Sequence, residues 1–429
     1  PFLKRIDFIL RNSFTGVIGQ EVSDISWDQV CLPYKLSGFG LSNINVIAKA
    51  AFTANVFETK DAVLNTISAA RDYYLFLGDP DDSDECGRVE SYQHHEFVAP
   101  FRSFIEDFNL ATEKDGGIDM NYIQAILDEG GKNLKLQNYM YLSSILTLDH
   151  SLKFFKFHKS HSSAPDNARI KSCLGPNSGA FLHCVPKDSF SSMDNESFRF
   201  AFSIRLGLPI PGASAWCSLC RTHIDKFAIH PFSCPSNRQK LLNKHDAFVR
   251  DFKCLAHLAG ANPKDRNLTL FTPDDPNDLK RPDLLLSGMG KGGRDLLIDF
   301  VFSDVRNGNA SYAALSIQAV NKRKEEAKRR KYLLRCHRAG YSFLAAAMEI
   351  FGCATDDFQN LIKALVEKAS NRSQIPFNTL LPYWIKRLSM NIQKGNAKHW
   401  FDSSVRMNGG PHILHDSSLS LATHHHACA

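Results

Sequence analysis

The stretch from Arg281 to Tyr332 restricts the fold more than any other part of the chain. It opens R-P-D-L-L-L-S, passes through G-M-G-K-G-G, continues R-D-L-L-I-D-F-V-F and ends in a basic segment, A-K-R-R-K-Y. The first and third pieces are short and apolar with Gly between them, the pattern of two strands joined by a turn centred near Lys291. A hairpin turning there sets Asp283 roughly opposite Asp299, and opposed residues bring their Cβ atoms to about 5 Å. Two carboxylates that close repel unless a cation lies between them. Hard oxygens with room for water suit Mg2+ or Mn2+. Alternation on the second strand puts Asp295, Leu297, Asp299 and Val301 on one face and Leu296, Ile298, Phe300 and Phe302 on the other. Asp299 thus falls among apolar neighbours, where an unpaired carboxylate is costly. The alternative is purely structural: an Asp at a strand start and a buried Asp bonded to backbone.

Ser311 to Arg338 contains no Gly or Pro and reads as one helix, apolar first and strongly basic later. Lys328, Lys331 and Tyr332 fall at helical spacings of three and four and share a face. Glu325, one turn earlier, is placed to hold Lys328, and Ala327, Tyr332 and Leu334 are candidates for the packed side. Gly340 is a stop, and Tyr341 to Met348 reads as a buried strand. Strand, strand, helix, strand, with two acids on the hairpin and a lysine nearby, is the layout of a PD-(D/E)xK nuclease core. Such enzymes often carry their lysine two residues past the second acid. Here that residue is Val301, so the lysine has to come from the helix.

The same stretch resembles the restriction-like endonuclease of site-specific non-LTR retrotransposons, in which the two acids are followed by K-x-x-K-Y on a helix. The matching positions are Asp283, Asp299, Lys328, Lys331 and Tyr332. The resemblance implies that Asp283 and Asp299 hold Mg2+ and that Lys328 or Lys331 assists at the scissile phosphate. Tyr332 and the basic residues Arg281, Lys322, Arg323, Lys324, Arg329, Arg330 and Arg335 would then grip the nucleic-acid backbone.

A second cluster is independent of the first. Cys217-x2-Cys220-x9-His230-x3-Cys234 supplies two close soft ligands, a loop, and then a His and a Cys, a set able to close a tetrahedron on Zn2+. Four filled positions leave no open one, so the zinc is expected to be structural. His223 is a spare that could replace a ligand. The spacing resembles the zinc knuckle ahead of the nuclease in the retrotransposon proteins, where an Asp and an aromatic precede the His, as Asp225 and Phe227 do here. Phe198 to Leu208 leads into the cluster, and its closing R-L-G-L, with Pro209, is similar to an R-L-G-L-P that the family places there.

Elsewhere the chain reads as mostly helical in its N-terminal half. Residues 1 to about 110 are helical, with Ile44 to Ala70 free of Gly and Pro. Leu32 to Asn43, L-P-Y-K-L-S-G-F-G-L-S-N, is a structured loop that resembles the L-P-x-x-x-G-G-L-G-L segment following the polymerase palm, with Ser37 in place of one Gly. The polymerase motif itself is absent: Asp81-Asp82 sits in an acidic loop without the aromatic and flanking strands. His95-Glu96 begins like H-E-x-x-H but ends in Ala99 and fails as that motif. Glu106 to Leu152 reads as two helices and His158 to Ser178 as a polar linker. Arg238, His245, Asp246 and Arg250 share a helix, and Lys244-His245-Asp246 partly matches an R-H-N or R-H-D pattern; an ordinary amphipathic helix explains it equally well. Thr272-Pro273 stands where the family often has Glu-Pro, which weakens the case for a third acid. Thr355 to Ala369 and Trp384 to Ala397 are further helices, and residues from Met407 onward read as a disordered tail.

Net charge is +6, from 51 Lys and Arg against 45 Asp and Glu, but the positive charge concentrates between Lys322 and Arg338, which points to a phosphate partner. Eleven Cys, one group of them at metal spacing, fit a reducing compartment rather than a disulfide framework. No apolar run reaches membrane-spanning length, so no membrane partner is expected. A start at Pro1 suggests a fragment.

The expected fold is therefore α+β, with a helical N-terminal half, a small zinc knuckle and an α/β restriction-endonuclease-like core with a short mixed sheet. The implied division is a helical post-polymerase region at 1–210, a knuckle at 211–240, a nuclease domain at 241–406 and a tail at 407–429. The expected function is metal-dependent nicking of target DNA, with element RNA as a further partner and the nucleus as the place of action. The rival expectations are an inactive nucleic-acid-binding remnant and a host DNA repair or recombination nuclease on the same core.

Overall fold

The computed structural model describes residues 2–52, 54–55, 139–211, 215–217, 219–265, 281–308 and 310–407. The acidic Asp81-Asp82 loop, the His95-Glu96 motif, most of the Glu106–Leu152 pair, Thr272-Pro273 and the tail from 408 lie outside the described residues. The fold is α+β with a mixed four-stranded sheet. The chain divides into two compact units. The first contains most of α1 (Phe2–Ile18), α2 (Asp24–Cys31), a helical stretch over 44–52 and α3 (Tyr139–His161) as far as Ser160. The second contains 17–22, 33–39 and everything from His161 on.

In the first unit, α2 begins where Ser23 accepts a hydrogen bond from the Ser26 amide, an N-cap that satisfies an orphan donor. Trp27 is buried there and its indole N–H donates to Asp7 at 3.2 Å.

The second unit is built on the order β3–β4–β5–β6, from Lys264–Asp265, Leu284–Leu286, Leu296–Ser303 and Ser342–Glu349. β4 runs antiparallel to β5 with Leu284 opposite Ile298, and β6 runs parallel to β5 from Leu296↔Ser342 to Ser303↔Glu349. A parallel neighbour needs a crossover helix, which α8 (Ala319–Arg338) supplies. β4, β5 and β6 each bury two different faces. Leu284, Leu286, Leu296, Ile298 and Phe300 pack on α6 (Arg238–Leu258), α9 (Asp356–Ser373) and α10 (Phe377–Met407), whereas Leu285, Leu297, Phe343 and Ala345 meet Tyr332 and Cys336 of α8. The expected alternation of β5 therefore holds, with Asp299 on the α8 side.

Three expectations need correction. The helix predicted over Ser311–Arg338 is broken: α7 covers only Ala310–Ala313, and α8 starts at Ala319 after Gln318 at φ 64°. The Gln318 amide reaches the Ala354 carbonyl at 2.9 Å and Asp356 at 3.2 Å, tertiary bonds that hold the left-handed turn against local helix propensity. His158–Ser178 is not a linker. Its polar residues serve as caps and struts: Ser163 caps α4 (Ala164–Cys173), and Arg169 bonds Asp166 at 2.5 Å. The packing also divides near residue 160 rather than 210. α4 and α5 (Asn195–Leu206) belong to the same unit as the knuckle, sharing a core of Ala168, Phe200, Cys217, Ile224, Phe351 and Trp400.

Two backbone positions in this unit require left-handed geometry. Ser37 has φ 72° and is fully buried, a conformation that favours Gly. Gly207 ends α5 at φ 67°, and a Cβ there would lie 2.6 Å from Asp166 and 2.7 Å from Arg169. The buried Arg205 guanidinium ties the unit together through the Ser178 carbonyl at 3.1 Å and the Gly38 carbonyl at 3.4 Å.

Candidate metal centre and catalytic site

The knuckle is a two-stranded hairpin, β1 (Ala215–Trp216) against β2 (His223–Ile224), followed by a turn carrying His230 and Cys234. Cys217 Sγ lies 3.9 Å from Cys234 Sγ, Cys220 Sγ is 3.6 Å from Cys234 Sγ, and His230 Nε2 is 3.2 Å from Cys220 Sγ. All four ligand atoms lie within 4.8 Å of one another. Tetrahedral Zn–S bonds of about 2.3 Å put sulfur atoms about 3.8 Å apart, so the set fits a zinc ion. Asp225 holds the ligand turn: its carboxylate accepts from the amides of Phe227, Ile229 and His230 at 2.8, 3.0 and 3.2 Å. His223 is exposed and lies edge-on to Trp216 instead, outside the ligand set. Burial pushes the Cys234 thiol up to about 12, while hydrogen bonding from Thr222 brings Cys220 down to about 6.

The second site lies at the head of the β4–β5 hairpin. The regular ladder ends at Leu284↔Ile298, and the Asp283 amide donates to the Ile298 carbonyl at 2.8 Å. The Asp283 side chain then replaces the next ladder bond, its Oδ2 accepting from the Phe300 amide at 2.8 Å. Asp283 is thus locked against the residue that follows Asp299. Asp299 is 3 % exposed, and Lys328 Nζ sits 2.5 Å from its Oδ2. Burial raises the Asp299 pKa; Lys328 opposes that, the Asp283 charge adds to it, and Lys331 opposes it again, with a net upward result. α8 therefore brings Lys328 onto Asp299, where the Asp283 and Lys331 charges are also felt.

Lys328 owes its place to the helix face rather than to Glu325. Asn321, Tyr332 and Cys336 are the buried positions along α8, and Lys328 lies on their side with part of its length covered. Ala327 and Leu334 are exposed, so they do not define the packed side. Glu325 lies 3.7 Å from Arg329, and burial together with the Asp357 charge raises its pKa. Tyr332 is a second correction: at 3 % exposure, with its ring 5.5 Å from Phe343, it is a core residue and not a backbone grip. Lys331 is exposed and lies over the Tyr332 ring at 4.5 Å. Arg281, Lys322, Arg323, Lys324, Arg329, Arg330 and Arg335 are all exposed; Arg329 also nears Asp357 at 3.6 Å and Arg330 nears Glu326 at 4.0 Å.

His245 is the site residue that sequence reasoning left aside. From α6 its Nε2 meets Asp283 Oδ2 at 3.0 Å and its Nδ1 meets Asp246 Oδ1 at 3.0 Å, with the ring edge-on to Phe300 and Phe302. Burial opposes the charged imidazole, but the two carboxylates outweigh it and raise the pKa. The only sequence signal was the partial K-H-D match. Its Lys244 points elsewhere, buried, bonded to Asn396 and pushed by burial down to about 7.

No protein-family model matches the chain, and no curated protein matches it. Among the described residues, the Cys3His set is the one group of three or more His, Cys, Asp and Glu side chains arranged to hold a metal ion. No helix among them is long and apolar enough to cross a membrane.

Proposed function

We propose that the second unit is a metal-dependent DNA endonuclease segment of a retrotransposon-like protein, built on a restriction-endonuclease-like core and nicking target DNA. The observation that carries the reading is the contact of Lys328 with Asp299 beside a locked Asp283, in a strand–strand–helix–strand order. The donor set suits a hard divalent cation: a deeply buried carboxylate on β5 and a second one just ahead of β4. Asp283 and Asp299 would hold Mg2+ or Mn2+, which supplies Lewis-acid polarisation and a bound water of lowered pKa. Lys328 supplies a fixed cation where charge develops on the phosphate, a role that Val301 cannot take. His245 and the Phe300 amide keep Asp283 in one orientation. The exposed bases of α8, with Arg281, offer phosphate contacts that position the strand without reading its sequence. Zinc at the Cys3His set would be structural.

A second reading, an inactive nucleic-acid-binding remnant, is favoured by one observation: Lys328 takes up the buried Asp299 Oδ2 in an ion pair, the oxygen a cation would use. A plasmid-nicking assay with and without Mg2+ on the wild type and Asp299→Asn separates the two. Mg2+-dependent nicking lost in Asp299→Asn supports the endonuclease; DNA binding with no nicking in either chain supports the remnant.

A further inference from the structure

Lys244 borders a cavity that no step of the proposed cleavage uses. The cavity has a volume of about 210 Å3 and lies where α6 faces the end of β5, walled by Phe232, Leu242, Phe302 and Ile350. Its lining is apolar apart from Lys244, His245 and Asp304. Lys244 is 7 % exposed, and its stem runs over Gly395, where a Cβ would meet it at 3.0 Å. Its Nζ lies 5.6 Å from the centre of the Phe232 ring and 5.3 Å from that of Phe302. Leu241, Leu242 and Val301, also on the wall, keep part of their surface in water, which leaves a small molecule a way in.

The polar groups around that nitrogen are committed elsewhere. Asp304, the single acid of the lining, gives Oδ1 to the Arg306 amide and Nε at 2.9 and 3.0 Å and Oδ2 to the Arg306 guanidinium at 2.8 Å. Asn396 accepts one hydrogen of Nζ without supplying a charge, and is itself anchored on the Ile350 carbonyl at 2.7 Å. Burial therefore lowers the Lys244 pKa to about 7, which the Asp304 charge opposes only in part. A desolvated neutral amine in an apolar pocket is the form of lysine that attacks carbonyl carbon. The aromatic walls favour a ring, and a cavity of about 150 Å3 already holds benzene. The volume here has room for such a ring with a formyl group. We infer that Lys244 and this cavity form a covalent binding site for a small aromatic aldehyde, held as an imine. The Nζ lone pair attacks the carbonyl carbon, a C=N bond replaces C=O, and the oxygen leaves as water with the two amine hydrogens. The step is redox-neutral and shares nothing with the proposed cleavage chemistry.

The full chain, loaded with zinc, is incubated at pH 7 with benzaldehyde and cyanoborohydride, which fixes the imine as a secondary amine, and the labelled lysines are mapped by mass spectrometry. Exposed Lys398 on α10 is the internal reference. At pH 7 the Lys244 amine should be neutral about a thousand times more often than an ordinary lysine. Its lower basicity takes back part of that gain, as it does for thiols. Labelling of Lys244 should therefore outrun Lys398 by about 10- to 100-fold, and its rate should saturate as benzaldehyde is raised. Lys244→Met, apolar and of similar length, should keep its zinc and lose the fast label. Leu242→Trp leaves the amine in place and fills the cavity, so it should slow the label by about 10-fold or more, as loss of the bound complex requires. Equal labelling of Lys244 and Lys398 overturns the site. A rate that rises linearly with benzaldehyde, or one unchanged in Leu242→Trp, shows a reactive amine without a binding cavity and also overturns it.

Discussion

Lys328 Nζ meets Asp299 Oδ2 at 2.5 Å, and the carboxylate it meets is almost wholly removed from water. A charge so placed is tolerated only with a partner. The lysine thus compensates the buried carboxylate and stands beside the proposed reaction centre. Lys328→Ala at saturating protein should lower single-turnover cleavage by about two to three orders of magnitude, comparable to loss of one oxyanion donor. Lys331→Ala should cut near the wild-type rate once bound and flatten the salt dependence of binding. Two variants cutting at wild-type rate would leave α8 as a DNA grip only.

Tyr332 tests the placement of that helix. Its ring packs on Phe343 inside the α8-facing core, so Tyr332→Ala should cost about 3 kcal/mol or more in denaturant unfolding. Tyr332→Phe should leave DNA affinity unchanged. A loss of DNA affinity in Tyr332→Phe at unaltered stability would mean that the hydroxyl reaches the phosphates.

What was legible in the sequence was the part governed by short-range pattern. Alternation along Leu296–Ser303 separated the two faces of β5, and the Cys217–Cys234 spacing gave a ligand set that converges. What was not legible depends on contacts distant in sequence. The Gln318 break is held by Ala354 and Asp356, and no local signal marks it. Tyr332 reads as a surface residue in a basic run because Phe343 lies on another element. His245 reaches Asp283 across 38 positions, so its helix gave only an amphipathic pattern.

His245 fixes Asp283 from outside the proposed cation site, much as second-layer partners orient metal ligands. Removing such a partner typically weakens metal binding by about 10- to 100-fold. His245→Ala should raise the Mg2+ concentration needed for half-maximal nicking by that order, and weaken Mn2+ binding followed by electron paramagnetic resonance. Unchanged Mn2+ binding would leave the histidine a packing residue.

The knuckle yields a ligand-by-ligand test. Purified protein should carry one zinc, and His230→Ala or Cys234→Ser should lower zinc content and thermal stability together. His223→Ala should change neither, because that ring faces Trp216. Zinc lost in His223→Ala and kept in His230→Ala would reverse the assignment.

Glu349 sets a pH dependence that can be signed in advance. It ends β6, is 2 % exposed, and accepts a hydrogen bond from Ser172. Burial, opposed by that bond and aided by the Asp304 charge, pushes its pKa from 4.5 up to about 7. Below 4.5 the carboxyl is protonated in both folded and unfolded chains, and its contribution to stability is fully present. Between those values the folded chain binds the proton that the unfolded chain has released, so stability falls as pH rises and the loss is complete above about 7. The upper bound is about 3.5 kcal/mol, from about 1.4 kcal/mol per pKa unit between 4.5 and about 7. Glu349→Gln keeps an acceptor for Ser172 and removes the ionisation. The variant should therefore be more stable than wild type at pH 8, by about 1–3 kcal/mol, with the gap closing toward pH 5. Urea unfolding of both chains at the two pH values reads the difference directly, since other titrating groups cancel between them. A gap that stays constant from pH 5 to 8 would show that the Glu349 carboxyl ionises normally in the folded protein.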